Sequence, residues 1–231
     1  MKTKPVVLLT RTKEEAGAWA QALRKAGYGA KFLPVQTYAP VEPPALNIAH
    51  FHLILFTSKH AVTFLKEAFP HAAQYKISCA AVGRATANAA EEAGFKVDLV
   101  AEQEKAEGLA RTVARRYAAK AKMLLPCSAI AREELPRILK KAGFSVTVAP
   151  LYEPVPLDAP DDLEALLKAA GDILFFAPSQ VRTFLTWVED PPAHLKYWAL
   201  GATTLKAIPA ALHPGSLETP DVDEFIKLLK A

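Results

Sequence analysis

Three segments of the chain occur twice, and both sets keep the same order. One pair is LRKAGYGAKFLP and LKKAGFSVTVAP. The three pairs are residues 23–34 with 139–150, 53–65 with 173–185, and 80–90 with 198–208. Repetition of this kind is typical of a fold built from two equivalent halves. The simplest interpretation is two tandem domains that divide near residue 117.

A shorter repeat argues against that simple division. Tyr38-Ala39-Pro40-Val41 and Tyr152-Glu153-Pro154-Val155 share the pattern Tyr-x-Pro-Val, and each follows the first repeated segment of its half. Extended segments that contain proline suit a connector between domains. Two connectors mean that the chain passes between the domains twice. We therefore predict one domain of residues 1–36 and 156–231, a second of residues 43–149, and a two-stranded connector of residues 37–42 and 150–155.

Short apolar runs alternate with helical patterns along the chain. The runs are residues 6–10, 30–35, 52–57, 77–82, 96–100, 122–126, 145–149, 172–176 and 197–201. This alternation predicts an α/β protein with parallel sheets covered on both faces. The first helix is well marked, because Thr12 and Glu15 form a capping box and Gly27 follows its last turn. Pro136 must lie in the first turn of a later helix or kink it.

Composition and motifs exclude several classes of function. The 28 Lys and Arg residues exceed the 24 Asp and Glu residues only slightly and form no stripe, so we expect no nucleic-acid partner. Cys79 and Cys127 are too few for a disulfide framework or a zinc site, which favours a reduced cytoplasmic setting. The first apolar run is too short for a signal peptide or a membrane span. Nucleotide motifs and metal-binding histidine spacings are absent from the sequence, so we expect no cofactor and no metal.

Hydroxyl side chains recur where the predicted strands lead into helices. They are Thr10, Thr12, Thr57, Ser58, Thr86, Ser128, Ser179, Thr203 and Thr204. In open α/β sheets this edge is where ligands bind, and helix N-termini there attract carboxylates or phosphates. The set predicts a ligand that carries several anionic groups, although helix capping explains any single member.

Other residues near these turns leave alternatives open. Three arginines either pair with ligand carboxylates or are solvated: Arg11, Arg84 and Arg132. Lys59 and His60 either add local positive charge or lie on the surface. Tyr38 either packs its ring on a neighbouring domain or takes part in the site. Tyr152 is a candidate proton donor, because a phenol with an ordinary pKa of about 10 keeps its proton at neutral pH.

The segments ILFFAPSQVRTFL, ALGATTLKAI, FTSKHAV and AVGRATANAAEEAGF, with the opening VLLTR, resemble the uroporphyrinogen-III synthase family over essentially the whole chain. The resemblance implies two flavodoxin-like doubly wound domains joined by a two-stranded ladder, one of them formed from both chain ends. It also implies cofactor-free closure of hydroxymethylbilane, a linear tetrapyrrole with eight carboxylates, into uroporphyrinogen III. Ring D is inverted and water is lost, with the substrate in a cleft between the domains.

The resemblance assigns roles to individual residues. Tyr152 aligns with the tyrosine that is thought to assist loss of the substrate hydroxyl. Thr86, Ser179, Thr203 and Thr204 match family positions that are thought to touch the substrate. The edges of the two domains that face each other across the cleft are lined by Thr10, Arg11, Thr57 and Ser58. Lys59 and His60 depart from the family pattern, in which a small polar residue or Asn often follows Thr-Ser.

Two further expectations concern the state of the protein and the competing function. We expect a monomer, because the chain has no exceptional apolar surface helix. The alternative from a different functional class is a non-catalytic two-lobed protein that binds a small polyanionic ligand between its domains.

Overall fold

Each of the nine apolar runs overlaps a strand of the computed structural model, which describes residues 5–102, 106–131 and 133–230. The strands are β1 (Val6–Leu9), β2 (Gly29–Phe32), β3 (Gln36–Pro40), β4 (Leu53–Phe56), β5 (Ser78–Ala81), β6 (Lys96–Val100), β7 (Lys122–Ser128), β8 (Ser145–Pro156), β9 (Asp172–Phe175), β10 (Lys196–Leu200) and β11 (Gly215–Leu217). The helices are α1 (Lys13–Lys25), α2 (Lys59–Ala68), α3 (Arg84–Glu92), α4 (Ala106–Arg116), α5 (Glu134–Lys141), α6 (Leu163–Ala169), α7 (Pro178–Trp187), α8 (Ala202–Leu205) and α9 (Val222–Lys230).

These elements form two compact units, each built on one sheet. The first unit holds the described residues up to Thr37 and from Pro154 onward, and the second holds Tyr38–Glu153. The expected fold class, α/β with two parallel-sheet domains, is confirmed. None of the helices in the described ranges is long and apolar enough to cross a membrane.

The first unit contains a five-stranded sheet in the order β11-β10-β9-β1-β2. All neighbours pair in parallel. If the five strands are numbered in chain order within this unit, the sheet read from β2 has the strand order 2-1-3-4-5. This is the flavodoxin arrangement. Successive residues of β1 alternate between the faces: Leu8 packs towards α6 and α7, whereas Val7 and Leu9 pack towards α1 and α9.

The second unit contains a six-stranded sheet in the order β3-β8-β7-β4-β5-β6. The pairs from β8 to β6 are parallel. If counting starts at β7, these five strands repeat the order of the first sheet. The strand order of the second unit is therefore a circular permutation of the order in the first, which explains why the two copies of each repeated segment lie in different units.

Strands β3 and β8 are neighbours at the edge of this sheet and contain the residues at which the chain passes from one unit to the other. The connector expected at residues 37–42 and 150–155 overlaps both strands, while the proposed domain limits stay predictions. The apolar pattern predicts a strand at residues 145–149 only, but β8 continues through Pro150 to Pro156. The pairing of β8 with β7 shifts register between Cys127 and Ser128, beside Pro150, and proline is tolerated at such irregularities.

The local signals in the helices have structural counterparts. Thr12 is the N-cap of α1, and its backbone N–H donates to the Glu15 carboxylate at 3.2 Å. Gly27, which follows the helix, has a φ of 94°, a conformation that glycine adopts without strain. Pro136 lies in the first turn of α5, where its missing N–H costs no helical hydrogen bond.

Candidate active site

In the second unit, parallel neighbouring strands bring several predicted site residues to one edge of the sheet. Ser128 ends β7 and is paired in register with Tyr152 on β8. Thr57 and Ser58 follow β4 directly, and α3, which follows β5, begins at Arg84. Because β8, β7, β4 and β5 are parallel, these residues lie at the same carboxyl edge.

The closest contact among these residues joins Tyr152 and Ser58. The phenolic oxygen of Tyr152 lies 2.9 Å from Ser58 Oγ, across 94 residues of sequence. Ser58 is also the N-cap of α2, because its Oγ accepts the backbone N–H of Ala61 at 3.1 Å. The helix cap therefore holds the serine hydroxyl in place for the tyrosine.

Aromatic rings enclose Tyr152. Its side chain is buried, with the ring of Phe64 stacked at 4.8 Å and the ring of Tyr38 edge-on at 5.6 Å. The His60 imidazole lies 4.1 Å from the ring of Tyr38. Burial raises the pKa of Tyr152 from its ordinary value of 10.0 to about 12, while the hydrogen bond with Ser58 acts in the opposite direction. The phenol consequently keeps its proton at neutral pH.

Hydrogen-bond counting shows what the two hydroxyls offer to a ligand. A serine hydroxyl has one proton and two lone pairs. One lone pair of Ser58 takes the Ala61 N–H, and the contact with Tyr152 uses one of the two hydroxyl protons. The other hydroxyl proton is not used by this contact. If Ser58 donates to Tyr152, that remaining proton is the phenolic one.

The other predicted residues of the second unit differ in exposure. Arg84 is exposed and Thr57 is half-buried, but Thr86 is buried within the first turn of α3. Ser128 is half-buried, and its Oγ lies 3.4 Å from the backbone N–H of Ile130. Arg84, Thr57 and Ser128 therefore have surface available to a ligand, whereas Thr86 packs inside the unit.

In the first unit, Thr10 supports the sheet edge from inside. It is only 1% exposed, and its hydroxyl lies 2.8 Å from the carbonyl oxygen of Leu174 and 2.9 Å from Gln180 Oε1. Gln180 Oε1 also accepts the backbone N–H of Phe176 at 2.8 Å. These bonds tie β1 to α7 and engage the Thr10 hydroxyl within the unit, and its expected ligand contact stays a prediction.

The remaining predicted residues of the first unit also follow the carboxyl ends of its strands. Arg11 is half-buried, with its guanidinium carbon 4.3 Å from the centre of the Phe176 ring, a cation–π distance. Ser179 is half-buried and donates to Gln36 Oε1 at 2.8 Å. Thr203 is exposed in α8, whereas Thr204 is buried. Arg11, Ser179 and Thr203 are therefore the members of this set with accessible surface.

Sequence reasoning missed Gln180 and the aromatic group around Tyr152. Gln180 occupies the place of His60 in the repeat, and that correspondence was its available signal. Helical spacing of His60 and Phe64 on α2 was the signal for the aromatic group. Tyr38 packs on His60 and Tyr152, which belong to the same unit. Arg132 lies outside the described residues.

Comparison with known proteins identifies a family. The model of the family described as Uroporphyrinogen-III synthase HemD matches residues 17–221. A protein of Methanothermobacter thermautotrophicus named "Putative uroporphyrinogen-III synthase" is 29% identical over 180 residues, which cover 73% of this chain and 71% of that protein.

Solved structures agree at the level of the fold. The crystal structure of uroporphyrinogen-III synthetase from Helicobacter pylori 26695 matches with a TM-score of 0.66 and 19% identity, over 99% of each chain. A mutant uroporphyrinogen III synthase from Thermus thermophilus matches with a TM-score of 0.51 and 20% identity, over 98% of this chain and 97% of that one. The resemblance noted in the sequence is confirmed. Because the family model matches most of its length, this chain belongs to the uroporphyrinogen-III synthase family, a family of cyclising lyases that act on a tetrapyrrole.

Proposed function

We propose that this chain is a uroporphyrinogen-III synthase that closes hydroxymethylbilane into uroporphyrinogen III, with inversion of ring D and loss of water. The observation that carries the proposal is the hydroxyl pair of Tyr152 and Ser58 at the carboxyl edge of a sheet in a member of this family. Tyr152 is assigned as the proton donor and Ser58 as the residue that positions it.

The first chemical step is loss of the substrate hydroxyl. As the C–O bond breaks, the electron pair of the adjoining pyrrole nitrogen forms a conjugated C=N bond. The phenolic proton of Tyr152 goes to the departing oxygen. Water leaves and a cationic azafulvene remains. The ring-D α-carbon that already carries the bridge to ring C attacks this cation and forms a spiro intermediate. The bond from that carbon to the ring-C bridge then breaks and leaves a new azafulvene cation on ring C, which the free α-carbon of ring D attacks. That carbon finally loses its proton to the tyrosinate, so ring D is inverted and the net change is loss of one water.

The high pKa of Tyr152 is compatible with this role. The conjugate acid of the leaving hydroxide is water, whose pKa is about 15.7. Transfer from a phenol with a pKa of about 12 is therefore favourable by about 5 kcal/mol once the C–O bond has broken. A buried tyrosine is therefore suited to donate its proton at that stage and not in the resting complex.

Selective closure requires the flexible substrate to be held in one conformation. We assign this holding role to the accessible residues of both sheet edges: Arg11, Thr57, Arg84, Ser128, Ser179 and Thr203. Arginine and hydroxyl side chains bind carboxylates through charge-assisted hydrogen bonds. Positioning of reacting carbons can contribute as much to such a reaction as acid catalysis does. Thr10, Thr86 and Thr204 are assigned to support these edges from within.

Several finer expectations stay predictions: binding of the tetrapyrrole in a cleft between the domains, independence of any cofactor or metal, a monomeric state and a cytoplasmic location. The test of the proposed function is an isomer assay. Purified protein is mixed with enzymatically generated hydroxymethylbilane in buffer treated with a chelator and free of nucleotide, and the products are separated by chromatography. We expect the type III isomer. Type I alone, at the rate of buffer, would reject the proposal, and saturable binding without turnover would favour the two-lobed binding protein.

A further inference from the structure

The second unit has a cleft of about 740 Å³ between α5 and the strands β7 and β8, which we call the α5 cleft. It lies on the face of the sheet opposite the Tyr152 ring. Tyr152 packs with Phe64 of α2, whereas Leu125 and Cys127 of the cleft pack with Leu139 of α5. The cleft is thus separate from the Tyr152 pair, and its volume falls within the range of about 300–1,000 Å³ found for small-molecule sites.

The floor of the α5 cleft is apolar. It contains Leu125, Cys127 and Val148. Helix α5 begins only at Glu134, so it leaves part of the sheet uncovered, and Val148 keeps 38% of its surface exposed. Burial raises the pKa of Cys127 to about 11, as expected beside an apolar surface. An exposed apolar floor of this kind favours a ligand with a flat or compact apolar body.

The wall of the α5 cleft is basic. Arg137, Lys140 and Lys141 line it from α5, and Glu133 is the one acidic residue in the lining. Within the described ranges, no ion pair or side-chain hydrogen bond engages these three cations. A wall whose three positive charges outnumber its single carboxylate, next to apolar surface, attracts an anion that also has an apolar part.

The mouth of the cleft is close to Tyr152 along the backbone. Ser128 and Ala129 line it, and Ser128 is the register partner of Tyr152. The backbone N–H of Ala129 donates to the Tyr152 carbonyl oxygen at 2.7 Å. A long ligand that passes over the carboxyl edge of the sheet can therefore touch both places.

We propose that the α5 cleft binds a carboxylate-bearing aromatic or pyrrolic ring, with the ring on Val148 and the carboxylates on Arg137 and Lys140. In the synthase reaction this ligand is one pyrrole ring of the tetrapyrrole, and that second part rests on the proposed function. Substrate carboxylates would then be bound by side-chain cations as well as by the turns at the sheet edge.

The test uses the full chain and a pair of matched probes, pyrrole-3,4-dicarboxylate and its uncharged diamide. Binding is followed by NMR titration for wild type, for the double variant Arg137→Ala/Lys140→Ala, and for the control Arg111→Ala. Arg111 is an exposed cation on α4 of the same unit and lies outside the cleft lining. A third variant, Val148→Glu, keeps the helix charges and places a carboxylate in the floor.

We expect saturable binding of the dicarboxylate, with amide shifts around Val148, and weaker binding of the diamide. Loss of two charge-assisted contacts should weaken binding about tenfold or more in the double variant. Val148→Glu should weaken it similarly, and Arg111→Ala should not. Equal binding of both probes, an equal effect of Arg111→Ala, or no saturable binding by wild type would overturn the proposal.

Turnover of hydroxymethylbilane separates the two claims. If the double variant raises KM about tenfold while kcat changes little, a substrate ring occupies the cleft. If wild type makes the type III isomer and KM is unchanged in the variant, the cleft assignment fails and the proposed function stands. If the probe binds at the cleft but no type III isomer forms, the anion site stands and both the proposed function and the substrate assignment fail.

Discussion

The contact between Ser58 and Tyr152 can be measured by a double-mutant cycle. Ser58→Ala removes the cap of α2, which costs about 1 kcal/mol, and leaves the buried Tyr152 hydroxyl without this partner, which costs about 1–2 kcal/mol more. Tyr152→Phe keeps the ring on Phe64 and removes only the hydroxyl bond, at about 1 kcal/mol.

The two substitutions should not be additive. In the Ser58→Ala background, Tyr152→Phe deletes a buried hydroxyl that has already lost this bond, so it should cost nothing or even stabilise the fold. The double variant should therefore be at least as stable as Ser58→Ala alone, which corresponds to a coupling free energy of about 1 kcal/mol or more.

The assay is urea unfolding at pH 7 followed by far-UV circular dichroism. This probe is needed because Trp19, Trp187 and Trp198 all lie in the first unit, whereas both substitutions are in the second. Thr112→Ala on α4 provides a control, since its hydroxyl bonds to the Gly108 carbonyl and shares no partner with Ser58. Effects of Ser58→Ala and Tyr152→Phe that add within about 0.3 kcal/mol would refute the reasoning.

Three further predictions concern the first unit, and chemical denaturation measures each. Thr10→Val should cost about 1–2 kcal/mol because it removes a buried hydroxyl, while Thr10→Ser should cost less; equal losses would contradict the bonding described. Burial raises the pKa of Asp172, so the folded wild type loses stability as pH rises above the ordinary value of about 3.9. Asp172→Asn should therefore gain stability relative to wild type as pH rises, and a difference independent of pH would contradict this. Gly215→Ala places its Cβ 2.5 Å from the Trp198 ring and should cost about 1–3 kcal/mol, whereas Gly17→Ala in α1 meets open space and should stabilise by about 0.5–1 kcal/mol; equal effects would contradict the packing.

The fold class was predictable because the three long repeated segments and the short Tyr-x-Pro-Val repeat together constrain it strongly. Segments 23–34 and 139–150 each contain the end of a helix and the start of the strand that follows it, and the strands β2 and β8 occupy equivalent places in the two sheets. The extent of β8 was not predictable, because Pro150 and Pro154 are ordinarily signals that end a strand. Strand β11 was missed because Gly215–Leu217 is too short to carry an alternating pattern.

The candidate site was predictable in its location more than in the roles of its members. Hydroxyls after the strands mark the carboxyl edges, since that placement follows from the βα pattern alone. Whether such a hydroxyl faces outward depends on partners that are remote in sequence. Thr10 is locked by Gln180, 170 residues away, and Ser58 meets Tyr152, 94 residues away. Helix capping, the open alternative, holds for Thr12 and Ser58, whereas Ser179 lies inside the first turn of its helix.

The central claim is that the Tyr152 hydroxyl delivers the proton for loss of water in a type III synthase. Its most direct test is the initial rate of type III formation from hydroxymethylbilane by Tyr152→Phe and wild type, with the folded fraction of both checked by circular dichroism. The account predicts a wild-type rate about 10²-fold higher than that of the variant. Equal rates in the two proteins would contradict it.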